Sequence, residues 1–198
     1  MMGVVMPTPK ILTFAGSTRI GSTNAKLAAL AAKELTLLDI EVTRISLQDY
    51  PLPLYDPDLE ARSGAPDSAY KLKHMIMAHQ GVFIASPDYS ASVTPLLKNA
   101  IDWVSRVRER GDPLYAAFRN RVFAIAAVSP DASGGLHSLQ ALRQILEIGC
   151  GALVIPEQLA MAGADEAFDE MGNIADTHVA NKFHAQLSRL IELARLMG

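Results

Sequence analysis

The stretch ILTFAGSTRIGSTN, residues 11–24, joins an apolar run to a loop dense in Gly, Ser and Thr that carries one arginine. An apolar run without polar alternation suits a parallel strand covered on both faces. Leu27, Leu30, Ala31, Leu35 and Leu38 follow at helical spacing, so the loop lies between a strand and the start of a helix. Backbone N–H groups and the positive end of the helix face a ligand there, which makes the loop an anion cradle. A dinucleotide fingerprint needs G-x-G-x-x-G, and the only glycines are Gly16 and Gly21. A P-loop comes closer, since residues 16–23 read G-x-x-x-x-G-S-T, but Ser22 stands where the phosphate-binding lysine belongs. What remains is a set of hydroxyls (Ser17, Thr18, Ser22, Thr23), the amide of Asn24 and the guanidinium of Arg19, which suits a single phosphate dianion. The alternative from composition alone is a Ser/Thr-rich loop that only caps the helix.

Outward from that loop, apolar runs recur at 81–86, 121–129 and 152–155, and a fifth run, 41–47, alternates polar and apolar as an edge strand would. Helical patterns lie near 67–79, 94–107, 136–148 and 175–196, and residues 1–9 read as a loose tail ahead of one domain over 10–198. Strands alternating with helices predict a doubly wound parallel sheet with right-handed crossovers and helices on both faces. Five strands point to the flavodoxin-like order 2-1-3-4-5, an α/β/α sandwich whose switch point lies between strands 1 and 3. A ligand there meets the loops that begin at Gly16 and Pro87.

Composition narrows the functions available. The 198 residues are 49% hydrophobic and 20% charged, which suits one domain with a sizeable core. A net charge of −3 without a Lys/Arg block argues against nucleic acid as a partner. One cysteine, Cys150, excludes an internal disulfide framework, and no Cys/His cluster has zinc-like spacing, so no metal is expected and a cytoplasmic location fits. No apolar run reaches the roughly 18 residues that a membrane helix needs.

The second loop and the helix after it read SPDYSASVTPLLKNAIDWVSR, residues 86–106. Together with GSTRIGSTN it resembles the NADPH-dependent FMN reductase family, flavodoxin-like proteins that include quinone, chromate and azo-dye reductases. The likeness extends through PLPLYDPDLE (51–60) and SPDASGG (129–135). It implies that Gly16, Ser17, Arg19, Ser22, Thr23 and Asn24 hold the FMN phosphate. Pro87, Asp88, Tyr89 and Ser90 then border the isoalloxazine ring, and Ser129 with Gly134 and Gly135 approach its other edge. Two positions depart from the family pattern: Asp88 stands where Glu is usual, and Ser90 where Asn is usual. Asp131 adds a carboxylate near the ring, which disfavours an anionic reduced ring.

FMN performs hydride and electron transfer itself, so no catalytic side chain is expected. The implied activity passes hydride from NADPH or NADH through FMN to quinones, chromate, azo dyes or free flavin, with ping-pong kinetics. A flavodoxin-type carrier without NAD(P)H oxidation is the main alternative, and a flavin-free phosphate-binding protein on the same fold a third. Tyr89 and Tyr55 are candidate lids over the ring. Arg62, Arg106, Arg108 and Arg110 could each meet a 2′-phosphate, though none sits in a diagnostic motif. Cys150 reads as a core residue, and Asp56, Asp58 and Glu60 as a solvated loop. Leu96, Leu97, Ala100, Ile101, Trp103, Val104 and Val107 form a wider apolar arc than one sheet contact needs, which with the resemblance predicts a homodimer or homotetramer through the 94–107 helix.

Overall fold

A computed structural model describes residues 8–197. Most of the tail expected over 1–9 lies outside the described residues. Five parallel strands form one sheet: β1 (Lys10–Ala15), β2 (Glu41–Arg44), β3 (Gly81–Ala85), β4 (Val122–Val128) and β5 (Leu153–Met161). Their order is β2-β1-β3-β4-β5, as expected. The central strands β3 and β4 are buried at every position because helices cover both faces. On one face lie α1 (Thr23–Leu37) and α6 (Thr177–Arg195), whose Leu27, Ala31, Leu35, Phe183, Leu187 and Leu190 join one core cluster. On the other lie α3 (Asp67–Met77), α4 (Pro95–Arg106) and α5 (Leu136–Gln144), packed through Leu72, Ile76, Leu97, Val104, Leu139 and Leu142. No helix among the described residues is long and apolar enough to cross a membrane.

Three elements differ from the sequence expectation. Strand β2 stops at Arg44 because Ser46 caps a 3-10 turn over Leu47–Asp49, its hydroxyl accepting from Gln48 N–H at 3.2 Å. The acidic 56–60 segment is not a solvated loop but opens the short helix α2 (Pro57–Ser63), with Asp56 as N-cap and Pro57 in the first turn. Strand β5 runs on past residue 155 to Met161, through Pro156, by shifting register against β4 between Phe123 and Ile125. Such an irregularity leaves carbonyls without ladder partners. The fully buried Gln186 amide answers two of them, donating to Ile125 O at 2.8 Å and Glu157 O at 3.0 Å, while Arg143 donates to Ile155 O at 2.8 Å.

The apolar arc of α4 is covered by the chain itself. Leu97, Ile101 and Val104 face the sheet, and Trp103, fully buried, turns toward the 52–70 segment with Leu52, Tyr55, Leu59 and Ala69 around it. The width of the arc therefore needs no second subunit.

Gln186→Leu keeps the volume but leaves one buried and one partly buried carbonyl without a donor, which costs about 1–2 kcal/mol. Urea unfolding monitored by far-ultraviolet circular dichroism should show the midpoint fall by the corresponding amount.

Candidate functional site

The carboxyl ends of four strands are levelled by a stepped set of hydrogen bonds. Gly16 N–H donates to Ala85 O at 2.8 Å, Ser86 N–H to Ala126 O at 2.7 Å, and Ser129 N–H to Met161 O at 3.0 Å. Each donor is the first residue of a loop, so the 16–22, 86–93 and 129–135 loops start from one edge of the sheet, side by side.

The first loop keeps its donors free. Ser22 is buried and caps α1, its hydroxyl accepting from Ala25 N–H at 3.3 Å. Ser17 Oγ accepts from Arg19 N–H at 3.2 Å. Among the described residues, the N–H groups of Ser17, Thr18, Ile20, Gly21, Thr23 and Asn24 have no acceptor, and the Arg19 guanidinium has no carboxylate. The first turn of α1 holds no acid, so its positive pole is uncompensated. That donor set fits one phosphate dianion. Gly16 serves differently: its N–H and carbonyl are both used, and a Cβ there would come within 3.0 Å of Leu97.

The side chain of Asn24 is committed elsewhere, which leaves its backbone N–H as the group that can meet a phosphate. The residue is buried, with Nδ2 donating to Val128 O at 2.8 Å and Oδ1 accepting from Val128 N–H at 3.0 Å. The side-chain amide pairs with the end of β4 as a backbone group would, tying the first loop to the third.

Two further side chains brace the site that the sequence reading passed over. Thr94 caps α4, accepting from Leu97 N–H at 3.2 Å and donating to Gly16 O at 2.6 Å. The Thr94-Pro95 pair was a readable signal, a cap residue followed by proline in the first helical turn. Ser138, fully buried, joins Ser86 Oγ at 2.7 Å, donates to Pro87 O at 2.9 Å and gives its N–H to Asp88 Oδ2 at 3.2 Å. No local pattern marked it.

The second loop closes on a tight turn. Tyr89 N–H donates to Ser92 O at 2.9 Å and Ser92 N–H to Tyr89 O at 3.1 Å, with Ser90 at φ 52° and Ala91 at φ 61°. Both central residues are left-handed, as a type I′ turn requires, and neither is glycine. Asn is better tolerated than Ser in that region, which gives the family's usual Asn a backbone reason besides hydrogen bonding. Tyr89 projects from the turn, 51% exposed. Tyr55 does not project: its ring meets Trp103 edge-on at 5.1 Å and its hydroxyl donates to Glu60 at 2.9 Å. Asn99 and Trp103 both donate to Pro53 O, so the LKNAIDW motif pins the 51–56 segment to α4. Glu60 also accepts from Arg106 Nε at 3.0 Å, which commits one of the four candidate arginines.

In the third loop, Asp131 accepts from the hydroxyls of Ser129 and Ser133 and from Ser133 N–H at 2.8 Å. The two serine hydroxyls, with the backbone N–H, hold its carboxyl down at about 2. Gly134 and Gly135, at φ 62° and 87°, face inward: a Cβ on the first would lie 2.7 Å from the Met161 backbone and on the second 2.7 Å from Ala127 Cβ. Close packing and backbone conformation both demand glycine there. Cys150 is buried, and burial pushes its thiol up to about 11.

A family model described as NADPH-dependent FMN reductase matches residues 9–166. The chain belongs to the NADPH-dependent FMN reductase family. Among its relatives, a quinone reductase of Escherichia coli strain K12 is 31% identical over 90% of this chain and 92% of its own length. An NAD(P)H-dependent FMN reductase of Pseudomonas aeruginosa is 32% identical over 96% of this chain and 97% of its own. A solved flavoenzyme NAD(P)H:(acceptor) oxidoreductase from Paracoccus denitrificans superposes with a TM-score of 0.78 at 24% identity, covering 96% of this chain and 99% of that one, and shares the fold. FMN, the cofactor of these NADPH-dependent FMN reductases, carries one phosphate monoester, which the free donors of the first loop suit.

Ser90→Gly relieves one left-handed residue and should raise stability by about 1 kcal/mol, read as an upward shift of the thermal midpoint. For Asp131, whose carboxyl is depressed from the ordinary 3.8 to about 2, the stabilisation is present above pH 3.8 and is lost as the pH falls through 2. The thermal midpoints of the native chain and Asp131→Asn should differ most above pH 4 and converge toward pH 2.

Proposed function

We propose that this chain moves reducing equivalents from NAD(P)H through FMN, seated on the three-loop edge of the sheet, to a small quinone-type acceptor. The observation that carries the reading is the row of unsatisfied N–H donors at the acid-free start of α1, beside two loops launched from the same sheet edge. Ser17, Arg19, Ser22 and Thr23 take the phosphate, with Asn24 fixing the loop they stand on. The ring lies along Pro87, Asp88, Tyr89 and Ser90, and the Ser129 and Gly134-Gly135 loop shapes its far edge. Bound FMN supplies hydride acceptance at N5 and electron donation to the acceptor. The protein contributes position and charge. Tyr89, exposed at the first position of its turn, is free to pack over a flat substrate. Asp131, ionised throughout the physiological range, repels negative charge at the loop it organises.

The quinone class follows from the relatives named quinone reductase. Assembly into a homodimer or homotetramer belongs to the proposal only through a face other than the apolar arc of α4.

Anaerobic visible spectra of the FMN-loaded protein test the reading directly. NADPH or NADH should bleach the flavin bands, and a stoichiometric benzoquinone should restore them. Bands that survive both nucleotides would leave an electron carrier, and a chain that retains no FMN would overturn the whole reading.

A further inference from the structure

Beside the first loop, a cleft of about 90 Å³ opens between α1 and the end of β2. Its walls are Ser17, Ala25, Ala28, Arg44, Ile45 and Ser46, with Ala15 at the end of β1. Arg44 pairs with Thr13 across the sheet and follows Val42 by two residues, so it lies on the face that α1 covers. The cleft thus has on its walls both Ser17, one member of the phosphate cradle, and Arg44 from a different strand.

The charges around it favour an anion. Among the described residues Arg44 forms no ion pair and no side-chain hydrogen bond, whereas Lys10, at the far end of the same strand pair, is bound to Glu41 at 2.8 Å. From Gly16 to Lys26 the chain carries Arg19 and Lys26 and no carboxylate, and the first turn of α1 adds its free N–H groups. The walls nearest the helix are the small residues Ala25 and Ala28, which leave an arginine room to extend along α1 toward its N-terminus.

We infer that Arg44 is a second guanidinium for the cofactor phosphate, reaching it through this cleft and selecting the phosphorylated flavin over riboflavin. The inference rests on the flavin-binding reading above. Arg19 lies on the exposed loop and Arg44 on a strand end, so the two approach the phosphate from different elements and hold it between them. Two cations with bidentate geometry suit a dianion better than the single arginine of the loop.

Equilibrium dialysis of the full chain against FMN or riboflavin, with bound flavin read by absorbance, separates the outcomes. Arg44→Gln should weaken FMN about tenfold, flatten the salt dependence of its binding and leave riboflavin unchanged. Arg44→Lys should recover part of the loss. An unchanged FMN affinity in Arg44→Gln, or an equal loss for both flavins, overturns the inference while leaving the flavoprotein reading in place. A native chain that binds neither flavin overturns both. Arg44 is exposed, and an unaltered thermal midpoint in the variant confirms that the change in affinity is local.

Discussion

The stepped hydrogen bonds from Gly16 to Ala85, Ser86 to Ala126 and Ser129 to Met161 are the constraint on which the site depends. A parallel sheet would leave its last carbonyls facing three independent loops. Instead each loop spends its first N–H on the neighbouring strand, and all three begin at the same height. Cross-ties then remove the remaining slack. Thr94 fastens the first loop to the start of α4, Asn24 fastens α1 to the end of β4, and Ser138 fastens α5 to the second loop. A flat, rigid ligand needs this preorganisation, because loops ordered only on binding would lose affinity to conformational entropy.

Charge is divided along the same edge. The α1 end has Arg19, Lys26 and unsatisfied N–H groups, while the β4 end has the ionised Asp131. A ligand with an anionic tail and a neutral ring is oriented by that gradient before any close contact forms. The strain at Ser90 and Ala91 sits between the two poles, where the turn is held by its two reciprocal hydrogen bonds.

Strands β1, β3 and β4 were legible because burial on both faces demands continuous apolar runs, and the anion cradle because a Gly/Ser/Thr loop between strand and helix has few other uses. The end of β5 was not, since Pro156, Glu157 and Gln158 interrupt the apolar run that stops at residue 155. They are tolerated because Gln186 and Arg143, distant in sequence, answer the irregular backbone. The amide of Asn24 reads as a phosphate ligand in the sequence because its partner, Val128, is 104 residues away. The α4 arc read as a subunit interface because the segment that covers Trp103 precedes the helix by some forty residues and carries weak periodicity of its own. Helix α2, by contrast, has a local signal in Asp56-Pro57, a cap residue followed by proline, set among acids that resemble a solvated loop. Local chemistry was readable; pairings set by the fold were not.

The irregular β5 has a consequence for behaviour in a crowded solution. It is an edge strand, and an edge with free backbone groups invites another sheet to add to it. Pro156 offers no N–H, the register shift bends the strand, and side chains already occupy the Ile155 and Glu157 carbonyls. The opposite edge, β2, has only four residues and carries Glu41 and Arg44. Neither margin can template a growing ribbon, so copies of this chain can meet at high concentration through their helices without fusing their sheets into fibres.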